Sequence, residues 1–251
     1  MYILLPCYNE ERNIKELIYR ISEVCRNLDY KIVAVDDGSK DKTYPYLCAL
    51  TRNYPIVILR HEENKGLHEA LRTLLIYIYN VAGHSDYLIT MDSDLTHDPK
   101  YIPQLISACE EEEADIAIAS RFVDGGKQIG VPLHRAFLSW GLRFFVKFML
   151  GIPVRDVSSG YRCIRVSSIK RIMEKYGFER FVEARGFEVQ LELLYKLFLN
   201  GAKIIEVPFT LDYSLKRGES KLKIRRTILG YLRSVSKLRD LQKSDVPPSA
   251  G

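Results

Sequence analysis

Short apolar runs alternate with longer segments of helical period along the first 120 residues. Residues 2–5, 31–35, 57–59, 87–91 and 116–119 are too short for helices and are bounded by Pro, Asp, Gly or Ser, so each predicts a strand. Between the first two, residues 11–27 place Ile14, Leu17, Ile18, Ile21 and Val24, with Leu28 just beyond, on one helical face. Residues 67–81 and 102–112 repeat the pattern, and Pro99 stands just ahead of the latter, where proline is tolerated. A helix is also expected to begin near Thr43. Strand–helix alternation at this spacing predicts right-handed crossovers and a mainly parallel sheet flanked by helices, an α/β fold.

Beyond residue 130 the alternation breaks. Residues 134–150 predict a helix carrying Phe137, Trp140, Phe144, Phe145 and Phe148, with a polar ridge of Arg135, Ser139, Arg143 and Lys147 at a spacing of four. Further helices are expected over 168–176 and 187–199, then a strand over 203–207 stopped by Pro208. Residues 213–221 read as a mobile basic loop and 223–241 as an amphipathic helix with Ile224, Ile228, Tyr231, Val235 and Leu238 in its stripe. The last residues, 242–251, are expected to form a disordered tail. The division implied is a catalytic domain over 1–212, a basic loop and interfacial helix over 213–241, and the tail.

Composition adds little until charge is mapped. The chain has 251 residues, 47% hydrophobic and 27% charged, which excludes a disordered or fibrous protein. The net charge of +5 is uneven: residues 213–251 hold ten Lys/Arg against three Asp/Glu, a net of +7, which leaves −2 for the rest. No run of about 18 uncharged apolar residues suggests a membrane span, and the start has no signal-peptide pattern. Five scattered cysteines without a C-x-x-C pair predict reduced thiols in a cytosolic setting.

Ligands of such sheets bind beyond the carboxyl ends of the strands, and the segments there carry charge that a core would not. Asp92-Ser93-Asp94 follows a strand directly; its two carboxylates can reach one hard divalent cation, or serve as helix caps in a solvated turn. Asp36-Asp37-Gly38-Ser39 suits either nucleotide contact or a capped turn. No G-x-G-x-x-G or G-x-x-x-x-G-K-[ST] occurs, so a Rossmann dehydrogenase or P-loop NTPase is not expected. Phosphates would have to be met by metal and by Arg121, Arg135 and the loop Lys216-Arg217-Gly218-Glu219-Ser220-Lys221. Nucleic acid is not expected as a partner, since no binding module is visible.

In order along the chain stand Leu5-Pro6-Cys7-Tyr8-Asn9-Glu10, Val35-Asp36-Asp37-Gly38-Ser39, Asn64-Lys65-Gly66 and Met91-Asp92-Ser93-Asp94-Leu95-Thr96-His97. They are followed by Ala119-Ser120-Arg121-Phe122-Val123, Ser158-Ser159-Gly160-Tyr161, Glu206-Val207-Pro208-Phe209 and Arg217-Gly218-Glu219-Ser220-Lys221-Leu222. This series resembles the family 2 glycosyltransferases of GT-A (nucleotide-diphospho-sugar transferase) fold, most closely the dolichyl- and polyprenyl-phosphate mannosyltransferases.

The resemblance implies that Pro6, Tyr8, Glu10, Val35 and Asp37 hold the base and ribose. It implies that Asp92, Ser93 and Asp94 sit at the diphosphate, with Asp94 the principal ligand of a Mg²⁺ or Mn²⁺ ion. Thr96 stands where related synthases often have a Gln ligand, so its hydroxyl or a water fills that place. Arg121, Arg217 and Lys223 would bind phosphates or sugar, and Arg135 the acceptor phosphate; Asp94, Arg217 and Arg135 are the residues expected to carry catalysis. A phosphate monoester has a second pKa of roughly 6 and is already anionic at neutral pH, so it needs positioning cations more than a general base. Phe187-Glu188-Val189-Gln190 stands where sugar-acceptor relatives carry a Glu-Asp pair, which favours a phosphate acceptor.

The expected reaction is a single inverting displacement at the sugar C1, moving mannose from GDP-mannose to a dolichyl or polyprenyl phosphate. The metal and Arg217 would stabilise the departing diphosphate. The aromatic helix and the basic C-terminal helix would hold the protein on the cytosolic face of a membrane, with a membrane-spanning partner subunit as a further expectation. Two other readings stand beside this one. The same fold could use UDP-glucose or another nucleotide sugar with a lipid or non-lipid acceptor, or the chain could be a weakly catalytic nucleotide-sugar-binding subunit of a membrane complex.

Overall fold

The computed structural model describes residues 1–215 and 224–245, with 134–137, 224–226 and 243–245 described by their backbone alone. The expected loop 216–223, including Arg217 and Lys223, and the tail 246–251 lie outside the described residues, as does the side chain of Arg135.

The strands are β1 (Tyr2–Cys7), β2 (Lys31–Asp37), β3 (Ile56–His61), β4 (Tyr87–Thr90), β5 (Ile116–Ser120), β6 (Lys127–Ile129), β7 (Arg162–Arg165), β8 (Ile204–Pro208) and β9 (Thr210–Asp212). The α-helices are α1 (Ile14–Val24), α2 (Thr43–Leu50), α3 (Leu67–Val81), α4 (Ile102–Glu111), α5 (Leu133–Leu150), α6 (Val166–Tyr176), α7 (Val189–Leu199) and α8 (Ile224–Asp245). Seven strands form one sheet in the order β3-β2-β1-β4-β7-β5-β8, parallel except for β7, which runs antiparallel to both β4 and β5. A separate parallel pair joins β6 to β9.

The sheet is buried on both faces, which is why its strands read as continuous apolar runs. Ile3 and Leu5 face one core with α1, α2 and α4, while Leu4, Val33 and Val35 face the other with α3, α5, α6, α7 and α8. Pro208, expected to stop the last strand, is its final residue. β8 lies at the sheet edge, where a missing N–H is tolerated.

The stripe of α8 is spent on packing: Tyr231, Val235 and Leu238 are buried in the core, and α8 lies against α5 and α7. Ile228, Leu229 and Leu232 of α8 are left exposed, as are Trp140, Phe144 and Phe148 of α5. Among the described residues no helix is long and apolar enough to cross a membrane. Of the five free cysteines, only Cys48 is exposed.

Candidate active site

The carboxyl ends of β1, β2, β4 and β5 open onto a cleft of about 2440 Å³, closed on its far side by α5, α8 and the segment before α7. Of the residues singled out in the sequence, Pro6, Tyr8, Glu10, Asp37, Asp92, Ser93, Asp94, Thr96 and Arg121 line it. Val35 does not: it is fully buried within β2, paired to β1 and β3, with its side chain in the core.

The acidic turn is built tightly. Asp92 N–H donates to His97 Nδ1 (2.9 Å), and His97 stacks on Tyr161 and meets Phe209 edge-on. Its Nε2 stands 3.8 Å from the half-exposed Asp92 carboxylate. Ser93 Oγ donates to the Pro6 carbonyl (3.0 Å) and lies 3.3 Å from Cys7 Sγ, which ties the turn to the first loop. Leu95 has a φ of 68°, unusual for a residue with a branched side chain, and that side chain is buried in the core. The strained turn is thereby pinned from below. Thr96 donates its hydroxyl proton to Asp94 Oδ1 (2.6 Å) and its N–H to the same oxygen (3.2 Å), so it fixes the orientation of that carboxylate.

Asp37 is 3% exposed and saturated by the protein. His61 Nδ1 lies 2.7 Å from Oδ1, Asn64 Nδ2 donates to Oδ2, and the N–H groups of Lys65 and Gly66 donate one to each oxygen at 2.9 Å. Gly38 makes this possible, since a Cβ there would fall 2.4 Å from the Glu63 carbonyl carbon. The Asn64-Lys65-Gly66 motif is therefore a loop folded around Asp37. Asn9, with a φ of 51°, joins the first loop to the second by accepting from Lys40 N–H, while its own N–H donates to Ser39 Oγ.

Arg121 has its guanidinium committed to Asp156 (2.7 and 2.6 Å) and Ser158 (2.7 Å). Burial acts to lower the Arg121 pKa, but the Asp156 carboxylate outweighs it and leaves it raised. For Asp156 burial acts upward, and Arg121 outweighs it to leave the carboxyl below its usual range. Behind the pair Arg162 is 0% exposed and donates to the carbonyls of Gln190 and Val157. Burial lowers its pKa to about 10, opposed by Asp156 and Tyr231. Arg162 thus adds a second buried guanidinium near the Arg121–Asp156 pair without bonding to the carboxylate.

The wall before α7 is held by a second buried pair. Glu192 accepts from the N–H groups of Glu183 (3.0 Å) and Ala184 (2.7 Å) and from Lys196 Nζ (2.6 Å). Lys196 in turn donates to the Arg180 carbonyl. His97, Asp156, Arg162, Glu192 and Lys196 were not assigned roles from the sequence. His97 stands within a quoted motif, and Glu192 and Lys196 stand four apart on α7, a spacing that suits a pair but does not reveal its burial; Asp156 meets Arg121 from 35 positions away and Arg162 meets Gln190 from 28, which no spacing advertises.

No group of three or more His, Cys, Asp or Glu suited to one metal ion occurs among the described residues. The two carboxylates of the turn are hard oxygen donors at the open cleft, and they suit an ion that completes its shell with phosphate oxygens and water.

The model of glycosyltransferase family 2 matches residues 2–173. The chain belongs to this family. Among its family relatives, the dolichol-phosphate mannosyltransferase of Pyrococcus furiosus is 37% identical over 239 residues, covering 94% of this chain and 62% of that protein. The chain therefore spans less than two thirds of that relative. The undecaprenyl-phosphate mannosyltransferase of Micrococcus luteus is 29% identical over 87% of this chain and 86% of its own length. Among solved structures, glucosyl-3-phosphoglycerate synthase from Mycobacterium tuberculosis, in complex with Mn²⁺, UDP-glucose and phosphoglyceric acid, superposes with a TM-score of 0.66. It shares 18% identity and covers 99% of this chain and 80% of that one, which establishes the GT-A fold.

Proposed function

We propose that this family 2 glycosyltransferase moves mannose from GDP-mannose to a polyprenyl phosphate at a membrane surface, with inversion at C1. The observation that carries the reading is the two-sided cleft. One wall is the polar, acidic turn and its loops; the other is α5 and α8, which contribute Leu142, Phe145, Leu229 and Leu232. A cleft with a charged end and an apolar end suits an acceptor with a phosphate head and an isoprenoid chain. The exposed Trp140, Phe144, Phe148, Ile228 and Leu229 suit a lipid interface. The names of the relatives support the same acceptor class.

In this reading Asp92 and Asp94 hold a Mg²⁺ or Mn²⁺ ion, which neutralises the leaving diphosphate. Thr96 and His97 keep the two carboxylates in place. The buried Arg121–Asp156–Arg162 cluster carries an excess positive charge; Arg121 alone of the three lines the cleft, and the charge behind it favours anionic ligands nearby. Arg217, Lys223 and Arg135 remain candidates for the phosphates.

The test is transfer by purified protein to polyprenyl phosphate in vesicles, from a panel of nucleotide sugars, with Mg²⁺ or Mn²⁺. GDP-mannose is expected to be the best donor, and turnover of another donor in its place overturns that choice. Asp94→Ala is expected to lower kcat by at least about a hundredfold with melting unchanged. Retained transfer would sink the metal assignment.

A further inference from the structure

Glu188 precedes α7 and is 7% exposed, yet its carboxylate has no hydrogen bond and no ion pair among the described residues and makes no capping bond to the helix that follows. Its oxygens open on the cleft, and the surroundings leave room for them there. A Cβ at Gly186 would lie 2.6 Å from Glu188 Oε2, and a Cβ at Gly230 of α8 would lie 2.6 Å from the same oxygen. Glycine in a helix interior is unfavourable relative to alanine, so α8 gives up helical stability at the point where it leaves room for this group.

Glu188 lines the same cleft as the acidic turn. Gln190, two residues further on, has its Nε2 2.9 Å from where a Cβ of Gly160 would stand, and Asp92 Oδ1 lies 3.8 Å from that same point. The carboxylate therefore stands on the wall that adjoins the proposed diphosphate position. His68, in the first turn of α3, lines the cleft as well; its Nδ1 is buried without a partner, and burial lowers its pKa, which keeps the ring neutral.

We infer that Glu188 is a specificity-determining residue that receives two hydroxyl groups of the donor's sugar, with His68 Nδ1 as an adjacent acceptor. The chemistry of the cleft's ligands decides this. Diphosphate and acceptor phosphate are anions and are repelled by a carboxylate, whereas a hexose presents neutral O–H donors, and a vicinal diol supplies two for the two oxygens. The inference rests on the nucleotide-sugar reading above.

The experiment compares binding of GDP-mannose and of GDP, by calorimetry with Mg²⁺, to the wild type and to Glu188→Gln; if the panel selects another donor, that donor and its own nucleoside diphosphate are used. The variant is expected to bind the nucleotide sugar about tenfold more weakly and the nucleoside diphosphate within about twofold. Its melting point is expected to stay within about 2 °C, since the carboxylate it replaces opens on the cleft. Unchanged sugar-nucleotide affinity overturns the inference, and so does an equal loss for both ligands, which would put Glu188 at the ribose. A lower melting point with affinity kept marks a structural carboxylate and also overturns it. If the wild type binds neither ligand, the nucleotide-sugar reading falls and this inference falls with it; if the wild type binds both, only the Glu188 assignment is at stake.

Discussion

Asp37 and Glu188 are buried to nearly the same degree on one cleft, at 3% and 7% exposure. Asp37 has four polar groups turned on it, from His61, Asn64, Lys65 and Gly66, whereas Glu188 has none among the described residues. The difference separates two uses of a carboxylate. One that the protein saturates organises backbone, and any nucleotide contact must come through the loop it shapes. One left without donors is kept for a ligand. Asp156 sits with Asp37, since Arg121 and Ser158 occupy its oxygens.

The largest effect expected from this contrast is on stability. Asp37→Ala strips the acceptor from two backbone N–H groups and from His61, and should cost about 3 kcal/mol in urea unfolding. A cost below about 0.5 kcal/mol would erase the distinction. The second effect is a pH dependence. Asp156 has its folded pKa held down, so its stabilisation is complete above the unfolded value of about 3.9 and drains away as pH falls through the lower folded one. Unfolding free energy should therefore drop below about pH 4, and the drop should be shallower in Asp156→Asn; parallel curves would show that the pair adds nothing. The smallest effect concerns Gly230→Ala, whose new Cβ crowds the Glu188 carboxylate. Sugar-nucleotide binding should weaken roughly threefold while helicity by circular dichroism holds or rises. Unchanged binding would mean that Glu188 yields without consequence.

Much of the frame was legible because it rests on period and length. The helix expected over 67–81 is α3 to the residue, and the five early strands each appear, extended by one or two residues at an end or, for β4, ending one residue sooner. The acidic turn was legible for the same reason, lying directly after an apolar strand. β7 was not, because Arg-Cys-Ile-Arg shows no apolar run; its outer residues are arginines, and Arg162 is buried by virtue of distant carbonyl acceptors. The three-residue strands β6 and β9 are too short to carry a period. Thr96 read as a weak oxygen ligand from its position in the motif; the hydrogen bond to Asp94 that gives it an orienting part depends on the turn at Leu95. Glu188 looked like a departure from a pattern, and its isolation emerges only when two glycines from different segments close around it.

The antiparallel β7 also bears on how the chain comes off the ribosome. β4 and β5 are not neighbours; the strand between them is Arg162–Arg165. Until that segment emerges, β3-β2-β1-β4 can assemble, but β5, entirely buried in the finished protein, has neither of its partners. At about 5–20 residues per second the interval between Ser120 and Arg165 lasts a few seconds. For that time an apolar strand waits with both edges bare, so the nascent chain is most exposed to aggregation and to chaperones while residues 121–165 are being made.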